Sequence, residues 1–271
     1  MRRSRGRVNR CRASDSRRMR LAMRPVQSHF GDVANQYATF RPTYPPQLIA
    51  DVAAFAGGAQ AVALDVACGN GQATLELANY VKHVYASDVA DTQVVAMPAH
   101  PKISPYVARA EHSALQDHSV DLVTVAQAMH WFDVDAFHRE VQRIVRPGGI
   151  VAVWSYSLLQ STPAITDIIV EMYSHTRPWW PADRDHVDDG YAKLPFPYTR
   201  IPYTPPTMTA QFTLERLIGY LGTWSGVRRY HKDTGRDPVA ERVAALRAAW
   251  NGDSNHPMPF TFSVAMHVGR V

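Results

Sequence analysis

An α/β fold on a doubly wound, mostly parallel sheet is predicted by three observations. Short apolar runs alternate with helix-like segments from residue 61 to residue 155. The run 120–126 (Val120, Leu122, Val123, Val125, Ala126) is nearly continuously apolar, as a parallel strand covered on both faces must be. The first strand ends in a tight small-residue turn, Leu64-Asp65-Val66-Ala67-Cys68-Gly69-Asn70-Gly71-Gln72, that feeds a helix. Alternation of this kind places helices on both faces of a parallel sheet.

Taken in order, residues 31–56 read as helix, turn and helix, broken at Pro42, Pro45 and Pro46. A strand over 61–66, a helix over 71–80, a strand over 83–88 and a helix over 91–97 follow. Strands are predicted at 103–108, 120–126 and 149–155, with a helix over 134–145. That helix carries Val134, Phe137, Val141, Ile144 and Val145 on one face, and Asp133 stands where its N-cap belongs. Past Trp154 the rhythm changes. Residues 178–206 hold seven prolines among Trp179, Trp180, Tyr191, Phe196, Tyr198 and Tyr203, which reads as an ordered irregular insertion because a linker would lack the aromatics. Leu214, Leu217, Ile218 and Leu221 are spaced for one helix face, as are Val239, Val243, Leu246 and Trp250. Phe260 to Val268 reads as a closing strand.

The 271 residues suffice for one large α/β domain or two small ones. A formal charge of +5 misleads, because residues 1–24 carry ten arginines against Asp15 and leave −4 for the remainder. The folded part therefore implies no basic partner-seeking face and no nucleic-acid partner. The tail fits an organelle transit peptide, a nucleic-acid-binding arm, or a disordered extension ahead of a start at Met19 or Met23. The last is favoured, since no aromatic residue or apolar face interrupts the arginines. Cys11 and Cys68 exclude a disulfide framework and point to a reducing, cytoplasmic setting. No uncharged apolar run reaches membrane-spanning length. The twelve histidines show no metal-ligand spacing, so no metal is assigned.

Gly69 and Gly71 allow a turn conformation and a close cofactor approach that a Cβ would block. The second strand ends in Asp88, placed to accept both hydroxyls of a ribose. A dinucleotide fingerprint wants a third glycine where Thr74 stands, and a carboxylate at Asp65 would repel a pyrophosphate. The same carboxylate would welcome the cationic amino end of S-adenosylmethionine, which makes that the expected cofactor. Asp65 and Asp88 also fit plain strand-end caps, but their joint placement around the loop favours cofactor contact.

The chain resembles the class I S-adenosylmethionine-dependent methyltransferases, and within them the trans-aconitate methyltransferase-like group. The resemblance runs from Phe30 to the C-terminus. It rests on Arg41-Pro42-Thr43-Tyr44-Pro45, the glycine loop, Ala110-Glu111, Ala126-Gln127-Ala128-Met129-His130-Trp131-Phe132-Asp133, Arg146-Pro147-Gly148-Gly149 and Tyr220-Leu221-Gly222-Thr223-Trp224-Ser225. It implies a seven-stranded Rossmann-like sheet with an antiparallel last strand, an N-terminal helical lid and a C-terminal substrate cap within residues 156–258 of a 25–271 domain. The family's first loop glycine is Ala67 here, an exchange expected to require a negative φ at that residue. The resemblance further implies Ala110 and Glu111 at the adenine, Gln127 and Trp131 beside the cofactor, and Tyr37 reaching it from the lid. Glu111 alternatively reads as an exposed loop acid.

The expected reaction is methyl transfer to a small molecule, best read as carboxylate O-methylation. An ionised carboxylate needs no base, and the chain shows no obvious one. C-, N- or phenol O-methylation and a non-catalytic cofactor-binding module stay open. His130 fits a base, a substrate donor, or a residue satisfied by backbone groups. Arg228, Arg229 and Lys232 fit a solvated face; for a carboxylic acid substrate, one arginine there is a candidate bidentate clamp. A monomer or a homodimer is expected.

Overall fold

The alternating apolar runs fold into one mixed sheet. The structure, a computed structural model, describes residues 40–250 and 252–271; the arginine-rich tail, Phe30 and Tyr37 lie outside the described residues. The strands are β1 (Val62–Val66), β2 (His83–Asp88), β3 (Ile103–Val107), β4 (Val120–Ala126), β5 (Val145–Tyr156), β6 (Thr199–Arg200), β7 (Met208–Phe212), β8 (Met258–Phe262) and β9 (Val264–Arg270). Seven of them stand in the order β3-β2-β1-β4-β5-β9-β6, while β7 and β8 pair in a separate two-stranded sheet. β1 to β5 run parallel, and β9 lies antiparallel to β5. Strand order reverses between β1 and β4, so the carboxyl ends of these two strands flank the crevice where open α/β sheets receive ligands.

Helices α1 (Pro46–Phe55), α2 (Gln72–Leu77), α3 (Asp91–Ala96), α4 (Val134–Ile144), α5 (Pro163–Thr176), α6 (Arg184–Asp188), α7 (Leu214–Gly222), α8 (Ser225–Thr234) and α9 (Val243–Ala249) complete the described residues. Side chains alternate across the sheet into two apolar layers. Ala63, Leu122, Ala152 and Trp154 join α1, α5, α7 and the β7–β8 pair on one face. Leu64, Val66, Val123, Val125 and Val153 join α4, Tyr191 and Tyr198 on the other. Asp133 caps α4 as its position predicts, accepting from the Ala136 amide at 3.0 Å.

Three expectations need correction. The predicted closing strand is two strands: β8 turns its buried Phe260 and Phe262 into the second sheet, and β9 joins β5 after Ser263. Phe260, Phe262, Val264, Met266 and Val268 keep one period-two rhythm through the break, so no sequence signal marks it. Helix α5, which buries Ile165, Ile169 and Met172, was not among the expected elements although its spacing is helical. Helix α8 was also absent from the expectation; it stops at Gly235, whose φ of 73° suits the left-handed position after a helix end.

Candidate active site

The glycine loop leaves β1 in left-handed steps: Ala67, Gly69 and Gly71 have φ of 54°, 56° and 94°. Ala67 therefore takes the conformation of the glycine it replaces, and the expected negative φ does not hold. The Cys68 amide, fixed on Ser87 O at 3.0 Å, turns the chain at once toward β2, and Ala67 follows at the cost of about 1 kcal/mol of left-handed strain. The two glycines serve different needs. A Cβ on Gly71 would stand 2.8 Å from Met97 Cγ, whereas a Cβ on Gly69 would meet nothing nearer than Gln93 Oε1 at 3.9 Å. Open space in front of Gly69 is the cradle a close-approaching cofactor requires.

Asp65 is not at the mouth of this loop. It is 1% exposed, and its two oxygens accept from Thr74 Oγ1 at 2.6 Å and Thr124 Oγ1 at 2.8 Å. Burial pushes its pKa up to about 6 against the pull of those hydroxyls. The side chain pins β1, α2 and β4 together beneath the loop instead of facing a ligand's amino group. This also explains Thr74 at the third-glycine position. Asp88 behaves as an acceptor at the crevice: Oδ2 takes the Gly69 amide and Oδ1 the Ala90 amide, both at 2.9 Å. Each carboxylate oxygen keeps a second lone pair, so the group is oriented and still able to receive hydroxyls.

The remaining predicted residues gather at the same end of the sheet. The Ala108 amide donates to Asp88 O at 3.0 Å, which brings the buried Ala110 beside that carboxylate's strand. Glu111 is not a free loop acid; it accepts from the Asp133 amide at 3.0 Å and from Arg109 Nε at 3.2 Å. Gln127, with φ of 58°, leaves β4 near the level where Ala67 leaves β1, since Val66 pairs with Val125. Its Nε2 donates to Tyr156 O at 3.2 Å. Phe132 turns inward against Phe137, while Trp131 stays 52% exposed.

Beyond β4 and β5 lies a cavity lined by Arg41, Gln127, His130, Trp131, Tyr156 and Ser157 below, and by Trp180, Pro181, Arg184, Tyr220, Thr223 and Trp224 above. Arg41 donates to the Tyr156 hydroxyl at 2.8 Å and stacks over Tyr220. His130 places Nδ1 3.2 Å from the Tyr191 hydroxyl, and that ring stacks on it. Burial first, then the positive field of Arg184, pushes the pKa of His130 down to about 3. The imidazole is neutral at physiological pH and is a feeble proton acceptor.

The cations singled out from the sequence are not those at the cavity. Arg229 and Lys232 are exposed, Arg228 donates to Gly222 O at 3.3 Å, and none of the three lines it. Arg41 and Arg184 do. No sequence signal marks Arg184, which falls in the proline-rich stretch 178–206; Trp180 is one of the aromatics of that stretch, and Tyr220 and Trp224 belong to the Tyr-Leu-Gly-Thr-Trp-Ser run. Trp179 and Tyr230 pack on each other, centroids 4.7 Å apart, and do not line the cavity. No group of three or more potential metal ligands occurs among the described residues, and no helix there is long and apolar enough to cross a membrane.

Residues 64–153 match the family described as a methyltransferase domain. A Dictyostelium discoideum protein described as a methyltransferase is 30% identical over 232 residues, covering 83% of this chain and 88% of that one. A solved structure described as a type II methyltransferase from Anaeromyxobacter dehalogenans is 39% identical, with a TM-score of 0.79 over 85% of this chain and 98% of the other. A Saccharomyces cerevisiae protein described as an S-adenosylmethionine-dependent methyltransferase is 30% identical over 128 residues, 44% of each chain. Similarity that runs nearly the full length of the first two relatives, on a sheet whose switch point carries this loop, shows that the chain belongs to the class I S-adenosylmethionine-dependent methyltransferases.

Proposed function

We propose that the protein methylates a carboxylate of a small molecule held in the cavity between the sheet ends and the cap segment 156–258. One observation carries this reading. Among the described residues, the lining presents two guanidinium groups, that of Arg184 ion-paired to Asp188 outside the lining, no carboxylate, and one imidazole, whose pKa is near 3. Such a site attracts an anion and lacks a competent base. The His-Trp-Phe and Tyr-Leu-Gly-Thr-Trp-Ser runs both contribute to its walls, which supports placement in the trans-aconitate methyltransferase-like group.

Bound there, S-adenosylmethionine would supply a methyl carbon already activated by its sulfonium, and an ionised carboxylate acceptor would need no proton removed. The chain's part is to hold and orient. Gly69 would give the cofactor its close approach, with Gly71 leaving room for Met97 behind the loop, Asp88 would receive the ribose hydroxyls, Ala110 and Glu111 would border the adenine, and Trp131 would shelter the sulfonium. Asp65 acts from below by keeping the loop in shape. Gln127 would border the methyl-transfer end.

Screening small carboxylic acids with labelled S-adenosylmethionine tests the reading. A methyl ester should form at a rate flat from about pH 6 to 9, because a carboxylate ionises near 4. His130→Gln should lower that rate by about tenfold or less, where loss of a true base costs about a hundredfold or more. A phenol, amine or carbon acid accepted in place of the acids overturns it.

A further inference from the structure

We propose that Arg184 is the receptor for the substrate's carboxylate, and that the body bearing this carboxylate is flat and unsaturated, an arene or a conjugated chain. The proposal rests on the carboxylate reading and names the acid that reading leaves open.

Arg184 is held on several sides. Its Nε donates to Asp188 Oδ1 at 3.1 Å, and Asp188 Oδ2 accepts from the Tyr173 hydroxyl. The guanidinium lies 4.9 Å over Trp180 and 5.8 Å over Tyr173. Stacking and the Asp188 contact remove rotamer freedom before any ligand arrives, so little entropy is lost on binding an anion. Its charge reaches the cavity floor, since it is one of the two cationic influences on His130. Arg41, the cavity's other guanidinium, is engaged with the Tyr156 hydroxyl.

The walls argue for the flat body. Trp131, Tyr156, Trp180, Tyr220 and Trp224 surround the space. Trp180 stands 5.7 Å from Trp224, and Trp224 5.9 Å from Tyr220. Arg184 covers Trp180 and Arg41 covers Tyr220, and a π-system gains contact area against rings so placed that a saturated chain does not. Transfer turns the carboxylate into a neutral ester. The product therefore loses its ionic hold on Arg184, which favours release.

The test is calorimetry on the full chain saturated with S-adenosylhomocysteine, titrated with 2-naphthoate, its uncharged amide 2-naphthamide, and the aliphatic triacid tricarballylate. The wild type should prefer naphthoate to naphthamide, and to tricarballylate, by roughly tenfold to a hundredfold. Arg184→Gln should erase the preference for naphthoate over its amide without changing S-adenosylhomocysteine affinity. Retention of that preference overturns the receptor, and tighter binding of tricarballylate overturns the flat body. Arg184→Lys, which keeps stem and charge, should retain part of the preference; full retention also overturns the receptor. As a positioning residue, Asp188→Asn should raise the KM for naphthoate severalfold with kcat unchanged, and a fall in kcat alone would overturn that role. Arg184-dependent binding with no ester formed would sink carboxylate methylation and leave the receptor standing. Ester formation that survives Arg184→Gln would do the reverse.

Discussion

Two regions meet at the crevice and make their share of the site in different ways. Residues 62–127 make theirs from main chain: left-handed turns at Ala67, Gly69, Gly71 and Gln127, and amides aimed at Asp88. The segment between β5 and β9 makes its share from side chains: Trp180, Arg184, Tyr220 and Trp224 converge over the sheet ends. A cofactor common to a whole family needs little beyond a backbone shape and one carboxylate, here Asp88, that the backbone amides orient. A particular acceptor needs particular side chains. The two halves should therefore fail independently, one losing the cofactor and the other the substrate.

The largest effect is expected in the main-chain half. Asp88→Ala removes a carboxylate that holds the Gly69 and Ala90 amides and would receive the ribose, so S-adenosylhomocysteine affinity should fall by about 2–3 kcal/mol, roughly thirty- to hundredfold. Equal affinities in calorimetry would remove Asp88 from the cofactor site.

The cap has its counterpart at Gly226, where an added Cβ would sit 2.2 Å from Trp180 Nε1. Gly226→Ala should cost about 2 kcal/mol by overpacking and push Trp180 into the cavity. The melting temperature and acid binding should drop while S-adenosylhomocysteine affinity stays. A parallel loss of cofactor affinity would show that the halves are coupled.

Asp65, within the first region, and His130, on the cavity floor between the two, are both buried titrating groups, and the signs oppose. His130 titrates near 3 folded against 6.5 unfolded, so its contribution is complete above about pH 6.5 and is lost as pH falls. Asp65 titrates near 6 folded against 3.8 unfolded, so its contribution is present below about pH 3.8 and is lost as pH rises through 6. The slopes largely cancel between about pH 4 and 6. His130→Gln lifts one of them, and its stability relative to wild type should improve by on the order of 1 kcal/mol per unit as pH falls from 6.5 toward 4. Urea unfolding at pH 4.5 and 7 checks this; a constant difference would mean the imidazole is solvated.

Ala67→Gly is the smallest change. It relieves left-handed strain but frees the unfolded chain, for a net gain of about 0.5 kcal/mol or less in stability. Differential scanning calorimetry should show a rise of a few degrees at most, with cofactor affinity unaltered. A loss would mean that the Ala67 methyl packs usefully in the loop.

The parallel core was legible because its signals are local. Strand 83–88, strand 120–126 and the Asp133 cap follow from residue spacing, and Gly69 and Asp88 from their places at strand ends. The split of 260–268 was not legible, because both strands keep one alternation while belonging to different sheets. The role of Asp65 was half legible: its acid character near the loop was visible, its burial between Thr74 and Thr124 was not.

Periodicity and the glycine turn thus determined the sheet and the end of it that carries the loop, since each depends on neighbours a few residues apart, while the class of chemistry came from resemblance to the methyltransferases. Tertiary structure alone decided which cations face the acceptor. Arg228, Arg229 and Lys232 carry the same positive charge as Arg41 and Arg184, yet of these five only the last two line the cavity. The reason is that the cavity is closed by residues from 41 to 225, brought together by packing of Trp180 on α8 and Tyr173 on Asp188. Local spacing gives the face of an element on which a side chain stands, but which cavity that face meets is set by such long-range contacts.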